Sequence, residues 1–240
     1  MANKGEVRNI IVGAAQVFIS QGDSTAVANY KKAMPVFGQT GTAADYLETN
    51  ATADWRNVGF TSEGFEISYE PTYGEVEVDQ LLDSARIFKT QLRVMLRTSM
   101  SEGTLANVRT AFGQGNASQT NLVYSEGGGS NTISETAFSA GWDGESPDGE
   151  DKNVLRLGAG SLGEQPVERS LLAVGPGPTT VENASQTERI YLARRVLSME
   201  TVSHALRRNE ATVYPVTFRC LPDDDYAGAE YGEILDRVYS

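Results

Sequence analysis

In 240 residues the chain has one cysteine, one histidine and no long apolar run. The lone thiol, Cys220, excludes an internal disulfide framework. The lone His204 excludes a histidine-rich metal site, and a Ser-His-Asp triad would have to use it. It sits in the polar, turn-like SHALRRNE with no GxSxG beside it, and reads as an ordinary surface side chain. No segment approaches the roughly 18 apolar residues of a spanning helix. The opening MANKGEVRN lacks the basic-then-apolar layout of a signal peptide, so the chain is expected to be soluble and kept in a cytoplasm until it joins something larger. Positive charge is scarce too: 20 Lys and Arg face 32 Asp and Glu, for a net charge of −12. Affinity for phosphate backbones rests on basic surface, so neither nucleic acid nor an anionic membrane is an expected ligand.

What is present suits a large β domain. Hydrophobic residues make up 40% and charged residues 22%, enough for a core and unlike a disordered chain. Strands are expected over Asn9–Ser20, Arg86–Met100, Asn153–Leu157, Val167–Val174, Ala211–Leu221 and Glu233–Tyr239. Glu188–Thr201 fits strand or helix by pattern, and its β neighbours favour strand. Pro215 places its missing N–H on an edge or at a bulge. Ser101–Gly113 is the clearest helix, with Ser101 as N-cap, Glu102 in the first turn and Gly113 as the stop. Leu105, Val108 and Phe112 form its narrow packing stripe. The stretch 20–57 shows no sustained period and reads as a long connection, with short strands near Val36-Phe37. Residues 114–152 are rich in Gly, Ser and acids, a surface excursion with a short strand near Thr136–Ala140.

Three motifs carry little. Gly158-Ala-Gly-Ser-Leu-Gly163 matches GxGxxG, but Pro166 follows at once where a nucleotide-binding helix would have to run. Asp223-Asp-Asp225 lacks the spacing of a calcium loop and reads as a solvated turn. Asn50, Asn116 and Asn183 begin glycosylation sequons that matter only in a secreted chain.

The strongest pattern is GFEISYEPTYGEVEVDQ, from Gly64 to Gln80. Phe65, Ile67 and Tyr69 alternate with Glu66, Ser68 and Glu70; after Pro71-Thr72-Tyr73-Gly74, Val76 and Val78 alternate with Glu75, Glu77 and Asp79. Side chains alternate faces in a strand, so this reads as a hairpin turning at Pro71–Gly74 with one apolar and one acidic face. From Asn57 to Ala85 there are seven acids and no Lys or Arg. Like charges on neighbouring strands repel. Such a hairpin is either a solvated surface element or a wall built to repel something.

Val58-Gly59-Phe60-Thr61, then Glu77-Val78-Asp79-Gln80, the long strand, and Ser101-Glu102-Gly103-Thr104-Leu105-Ala106-Asn107 follow in an order that resembles the central block of major tail tube proteins of long-tailed bacteriophages. Val216–Asp223 and Tyr231–Asp236 are similar to that family's closing strands. The resemblance covers roughly a third of the chain and leaves 114–187 as an insertion or loop-rich region. It implies a single domain over 1–240, mainly β: two packed β-sheets, a sandwich or half-barrel, with one flanking helix. Six copies would close a ring around a continuous inner β-barrel, and rings would stack into a tube, with a long loop near 36–56 reaching the adjacent ring. The implied role is structural, in a virion tail assembled in the host cytoplasm, with no catalysis and no cofactor. Partners would be the tape-measure protein, a tail terminator and baseplate or tip proteins, while DNA passes through the lumen without adhering. Glu66, Glu70, Glu75, Glu77 and Asp79 are the candidate lumen-lining acids, because carboxylates facing a channel repel phosphates within a Debye length of about 8 Å.

A type VI secretion-like or pyocin-like tube subunit is the near alternative. A β-sandwich binding or capsid-decoration module predicts an exposed aromatic platform and a discrete oligomer instead, and a hydrolase predicts a cleft with a perturbed acid pair. If the five acids serve passage alone, neutralising them together leaves assembly intact under the electron microscope. Failed assembly would make them structural contacts.

Overall fold

Alternating apolar and polar residues carry most of this chain into strands, and the structure is mainly β. The computed structural model describes residues 11–20, 32–38, 40–50, 55–77, 79, 84–113, 123–124, 154–155, 167–178, 186–199, 202–206, 208–209 and 211–239. In chain order the elements are β1 (Gln16–Ser20), α1 (Ala43–Asn50), β2 (Trp55–Asn57), β3 (Thr61–Val76), β4 (Arg86–Met100), α2 (Leu105–Ala111), β5 (Val123–Tyr124), β6 (Val154–Leu155), β7 (Arg169–Pro176), β8 (Thr187–Ser198), β9 (Tyr214–Leu221) and β10 (Gly232–Val238). Eight strands make one antiparallel sheet in the order β2-β1-β7-β8-β9-β4-β3, with β10 also on β8; β5 and β6 form a separate pair.

β8 organises the sheet. Between Arg169 and Leu171 of β7 its register slips, so two steps on β7 span three on β8, from Val196 to Ala193. An extra residue of this kind bends a strand and increases its twist. β10 pairs β8 from Thr187 to Ala193, and β9 pairs it from Arg195 to Ser198. Both lie on the edge of β8 away from β7, so the sheet forks at Arg194. The fork is held by buried guanidinium contacts. Arg194 donates from its backbone N–H to the Tyr231 carbonyl (3.2 Å) and from Nε to the Ala229 carbonyl (3.1 Å). It also pairs with Glu233 and lies 3.5 Å over the Tyr226 ring. Arg195 grips Glu168 with two hydrogen bonds of 2.8 and 2.7 Å and donates to the Pro222 carbonyl at 2.7 Å.

The core lies on both faces of β1, β7 and β8. On one face Val17, Ile19, Leu171, Ala173 and Val196 share a buried cluster with Val94, Leu96, Val216 and Phe218. β7 and β4 are two strands apart in the sheet, so this common cluster means the sheet curls over its own face. Phe65 and Tyr191, 6.1 Å apart between ring centroids, close the curl. On the other face α1 inserts Ala43, Ala44 and Leu47 beneath Phe18, Trp55, Leu172, Val174, Ile190 and Leu192. The two packed sheets expected from the sequence are therefore one sheet folded on itself.

α1 occupies the 36–56 stretch that was expected to be a long loop. Gly41, at φ +74°, leads into it. The Thr42 hydroxyl accepts from the Asp45 N–H at 3.0 Å, an N-cap in a Thr-x-x-Asp pattern that was legible in the sequence. The Ala43 N–H donates to the buried Glu188 carboxylate at 3.0 and 3.2 Å. Glu188 also pairs with Arg237, its cross-strand neighbour, which donates to the carbonyls of Gly38 and Gly41. One buried ion pair thus fastens β8, β10 and the entry to α1.

The helix at 101–113 is shorter than expected. Ser101 still follows the sheet, its N–H donating to Phe60, and the Glu102 carboxylate accepts from the Phe60 N–H at 3.0 Å. The N-cap is Thr104, with extended backbone and a hydroxyl that accepts from the Asn107 N–H. Gly113 ends the helix at φ +66°, as expected. Val108 and Phe112 pack on the core; the Leu105 side chain lies outside the described residues. The deepest contact is polar: Asn107 is fully buried, donating to the carbonyls of Val58 (2.8 Å) and Glu102 (2.9 Å) and accepting from Arg56 (2.6 Å).

The stretch Thr187–Ser198 is a strand, and β4 runs over Arg86–Met100 as the alternation required. Pro215 pairs with Ser99 beyond the end of β8, so no ladder partner is lost. Of the expected loop-rich region 114–187, residues 167–178 carry the core strand β7, whereas 114–166 lie outside the described residues apart from 123–124 and 154–155, so Thr136–Ala140 and the glycine motif at 158–163 are not described.

Removing the Glu188 carboxylate leaves Arg237 buried without its counter-charge and the first N–H of α1 uncapped. Glu188→Ala is expected to lose about 3–5 kcal/mol, read as a lower urea midpoint by circular dichroism. Asp236→Ala, which breaks the exposed Arg189–Asp236 pair, is expected to cost at most about 1 kcal/mol. Equal losses would remove the buried pair from this account.

Candidate functional surface

No constellation for catalysis stands out among the described residues. None of them form a group of three His, Cys, Asp or Glu able to hold a metal. Burial pushes the Cys220 thiol up to about 12. His204 is exposed and stacks on Tyr214 (4.8 Å between centroids) and Phe112 (6.2 Å). Asp223 is buried, with its N–H on the Glu230 carbonyl at 2.9 Å, so the acidic triplet begins an ordered β9–β10 turn.

The distinctive surface is the β3–β4 pair. No turn occurs at Pro71–Gly74: β3 runs straight through, and the chain reverses after Val76 instead. Among the described residues β3 pairs only with β4, so Pro71, which has no N–H to donate, sits on an edge strand. A register slip between Thr72 and Tyr73 takes up one extra residue on β4. Gly74 lies under side chains rather than in a turn: a Cβ there would come 2.9 Å from the exposed Phe88 and Thr90, which would have to shift.

This continuity redistributes the candidate acids. Counting through an unbroken strand, Glu66 and Glu70 share one face, and Glu75 falls on the other with Phe65, Ile67, Tyr69 and Tyr73. Glu77 and Asp79 lie past the end of β3, in the connection. The five acids therefore do not share one face of a single strand. Reading Pro71–Gly74 as a turn restarted the alternation and concealed this.

The partner strand changes the electrostatics further. Glu66 stands opposite Arg97, Ser68 opposite Met95, and Glu70 opposite Arg93. On the far side of β4, Arg219 of β9 stands opposite Met95. Ser99 donates to Glu63 at 2.9 Å, which brings that carboxylate to the same face. This solvent face thus carries Glu63, Glu66 and Glu70 against Arg93, Arg97 and Arg219. Two of the seven acids of Asn57–Ala85, Glu66 and Glu70, thus stand opposite arginines of β4, a juxtaposition that no local pattern could reveal.

Beyond Met95 β9 no longer accompanies β4, and Glu70–Val76 with Arg86–Arg93 project as a two-stranded arm. Its apolar side chains stay exposed: Tyr73 57%, Ile87 61% and Phe88 45%. At its root Phe65, Ile67 and Tyr69 face Tyr191, Tyr231 and Ile234 across an open apolar groove of about 270 Å³. Among the described residues β10 and the short β2 are edge strands too, and on β10 Ile234 and Val238 are exposed.

Neither a protein-family model nor a curated protein matches the chain.

The buried, protonated thiol gives a direct check on the core around β9. In the native protein Cys220 should not react with a disulfide reagent at pH 8, and in denaturant it should react stoichiometrically. Rapid native labelling would mean that β9 opens readily.

Proposed function

We propose that this chain is a structural subunit of a bacteriophage tail tube, in which hexameric rings stack into a conduit for the tape-measure protein and the viral DNA. The observation that carries this reading is the open edge of β3 with its arm of exposed apolar side chains. Among the described residues this 16-residue edge has no partner, and such an edge is a standing template for another strand, while exposed apolar patches mark surfaces meant to be covered. An isolated subunit gains nothing from such an arm. Copies that join edge to edge bury it.

The open edges also differ from one another, since β3 and β10 carry different side chains. A contact between two unlike surfaces is heterologous, and it closes into a ring if the rotation permits. A curled sheet whose neighbours extend it is a natural stave for a barrel. Contact with the adjacent ring would fall to the stretch around α1, where Val36 is 88% exposed. The face bearing Glu66 and Glu70 would look into the channel, with the core face turned away. A tail terminator and baseplate or tip proteins would cap the two ends, and the assembled location would be the virion tail. This role needs no catalysis and no cofactor.

Negative-stain electron microscopy of the purified protein, fresh and after concentration, tests it. Six-fold rings or tubes are expected. Val76→Asp with Ile87→Asp, on the arm and outside the core, should abolish them with little change in thermal stability. Tubes that persist in this variant, or wild-type subunits that stay monomeric even with their tape-measure partner, would overturn the reading.

A further inference from the structure

The face of β3, β4 and β9 that points away from the core carries equal numbers of carboxylates and guanidiniums, and their placement is regular. We propose that this face is charge-balanced rather than acidic, and that Arg93, Arg97 and Arg219 form a latent phosphate-backbone-binding ladder in which Glu70 masks Arg93 and Glu66 masks Arg97.

Side chains directly opposite on antiparallel strands have Cβ atoms about 4.5–5.5 Å apart, well inside a Debye length of about 8 Å at physiological salt. Glu66 and Arg97, and likewise Glu70 and Arg93, therefore lie within one screening length, and each carboxylate weakens the field of the guanidinium opposite it. The two pairs are four residues apart along the strand, or about 14 Å at the usual rise. That exceeds the screening length, so each acid masks its own arginine and cannot mask the next. Arg219 stands between the pairs, level with Met95.

The ligand class follows from the chemistry. Three exposed or half-exposed guanidiniums on one flat face make a poor pocket for a small anion, but they can each meet a separate phosphate of an extended polyanion. With the acids in place, that polyanion meets a surface with little net field and slides. This use rests on the channel reading above; the masking itself does not.

The test compares two double variants with the same change of formal charge, from −12 to −10. Glu66→Gln with Glu70→Gln unmasks the ladder. Glu75→Gln with Glu77→Gln removes as much charge from the opposite face and the connection. Binding to a fluorescent DNA duplex of about 20 bp is read by anisotropy, starting near about 50 mM salt. The first variant should bind at least about tenfold more tightly than wild type, with a log–log salt slope approaching about −2.7 for three phosphate contacts. The second should match wild type. Adding Arg93→Gln and Arg97→Gln to the first should abolish the gain. Equal binding by the two double variants, or a gain that survives loss of the arginines, overturns the proposal.

Ring formation scored on the same preparations separates the two readings. DNA capture by subunits that form no rings upholds the masked ladder and counts against the channel. Rings without capture do the reverse.

Discussion

The fork in β8 is the constraint on which the rest of the structure depends. One edge of this strand must serve two partners, β10 before Arg194 and β9 after it, and a single extra residue provides the bend between them. Without the bend, β9, β4 and β3 would continue in the plane of β1 and β7, and their apolar faces would stay in water. With it, they curl over and close one cluster from Val17 to Phe218. Arg194 is expensive to bury and is met by the β9–β10 turn and by Glu233, while the half-buried Arg195 joins that turn, at Pro222, to Glu168 ahead of β7. A buried guanidinium is tolerated only when its donors are met.

The same sheet is finished on one side and unfinished on the other. The face over α1 is sealed by Leu47, Trp55 and the Glu188–Arg237 pair. A pair of this kind adds little net stability over a well-packed apolar substitute, but losing one member strands the other. It fixes where α1 begins more than it strengthens the domain. The opposite side ends in an arm that has hydrogen bonds to hold it straight and no core to cover it.

Charge follows a similar logic. A net charge of −12 suggests an acidic surface everywhere, yet the solvent face of β3, β4 and β9 sets Glu63, Glu66 and Glu70 beside Arg93, Arg97 and Arg219. Net charge governs solubility and long-range approach. Within a screening length only the nearest neighbours count, and those are set by strand register.

The sequence by itself determined the features that depend on near neighbours along the chain. Alternation made β4 a strand over Arg86–Met100, Gly113 stopped α2, the lone cysteine excluded disulfides, and the tally of charges fixed the overall sign. It also held the Thr42-x-x-Asp45 cap of α1, although weak periodicity around it hid the helix. Only the tertiary structure decided where β3 ends, because a proline in an edge strand and a glycine beneath Phe88 look locally like a turn. Only it placed Arg97 against Glu66 and Arg93 against Glu70, and so divided five acids that seemed to share one wall. The physical reason is range. Side-chain alternation is a property of one strand, whereas register, curl and charge pairing belong to strands that meet across the fold.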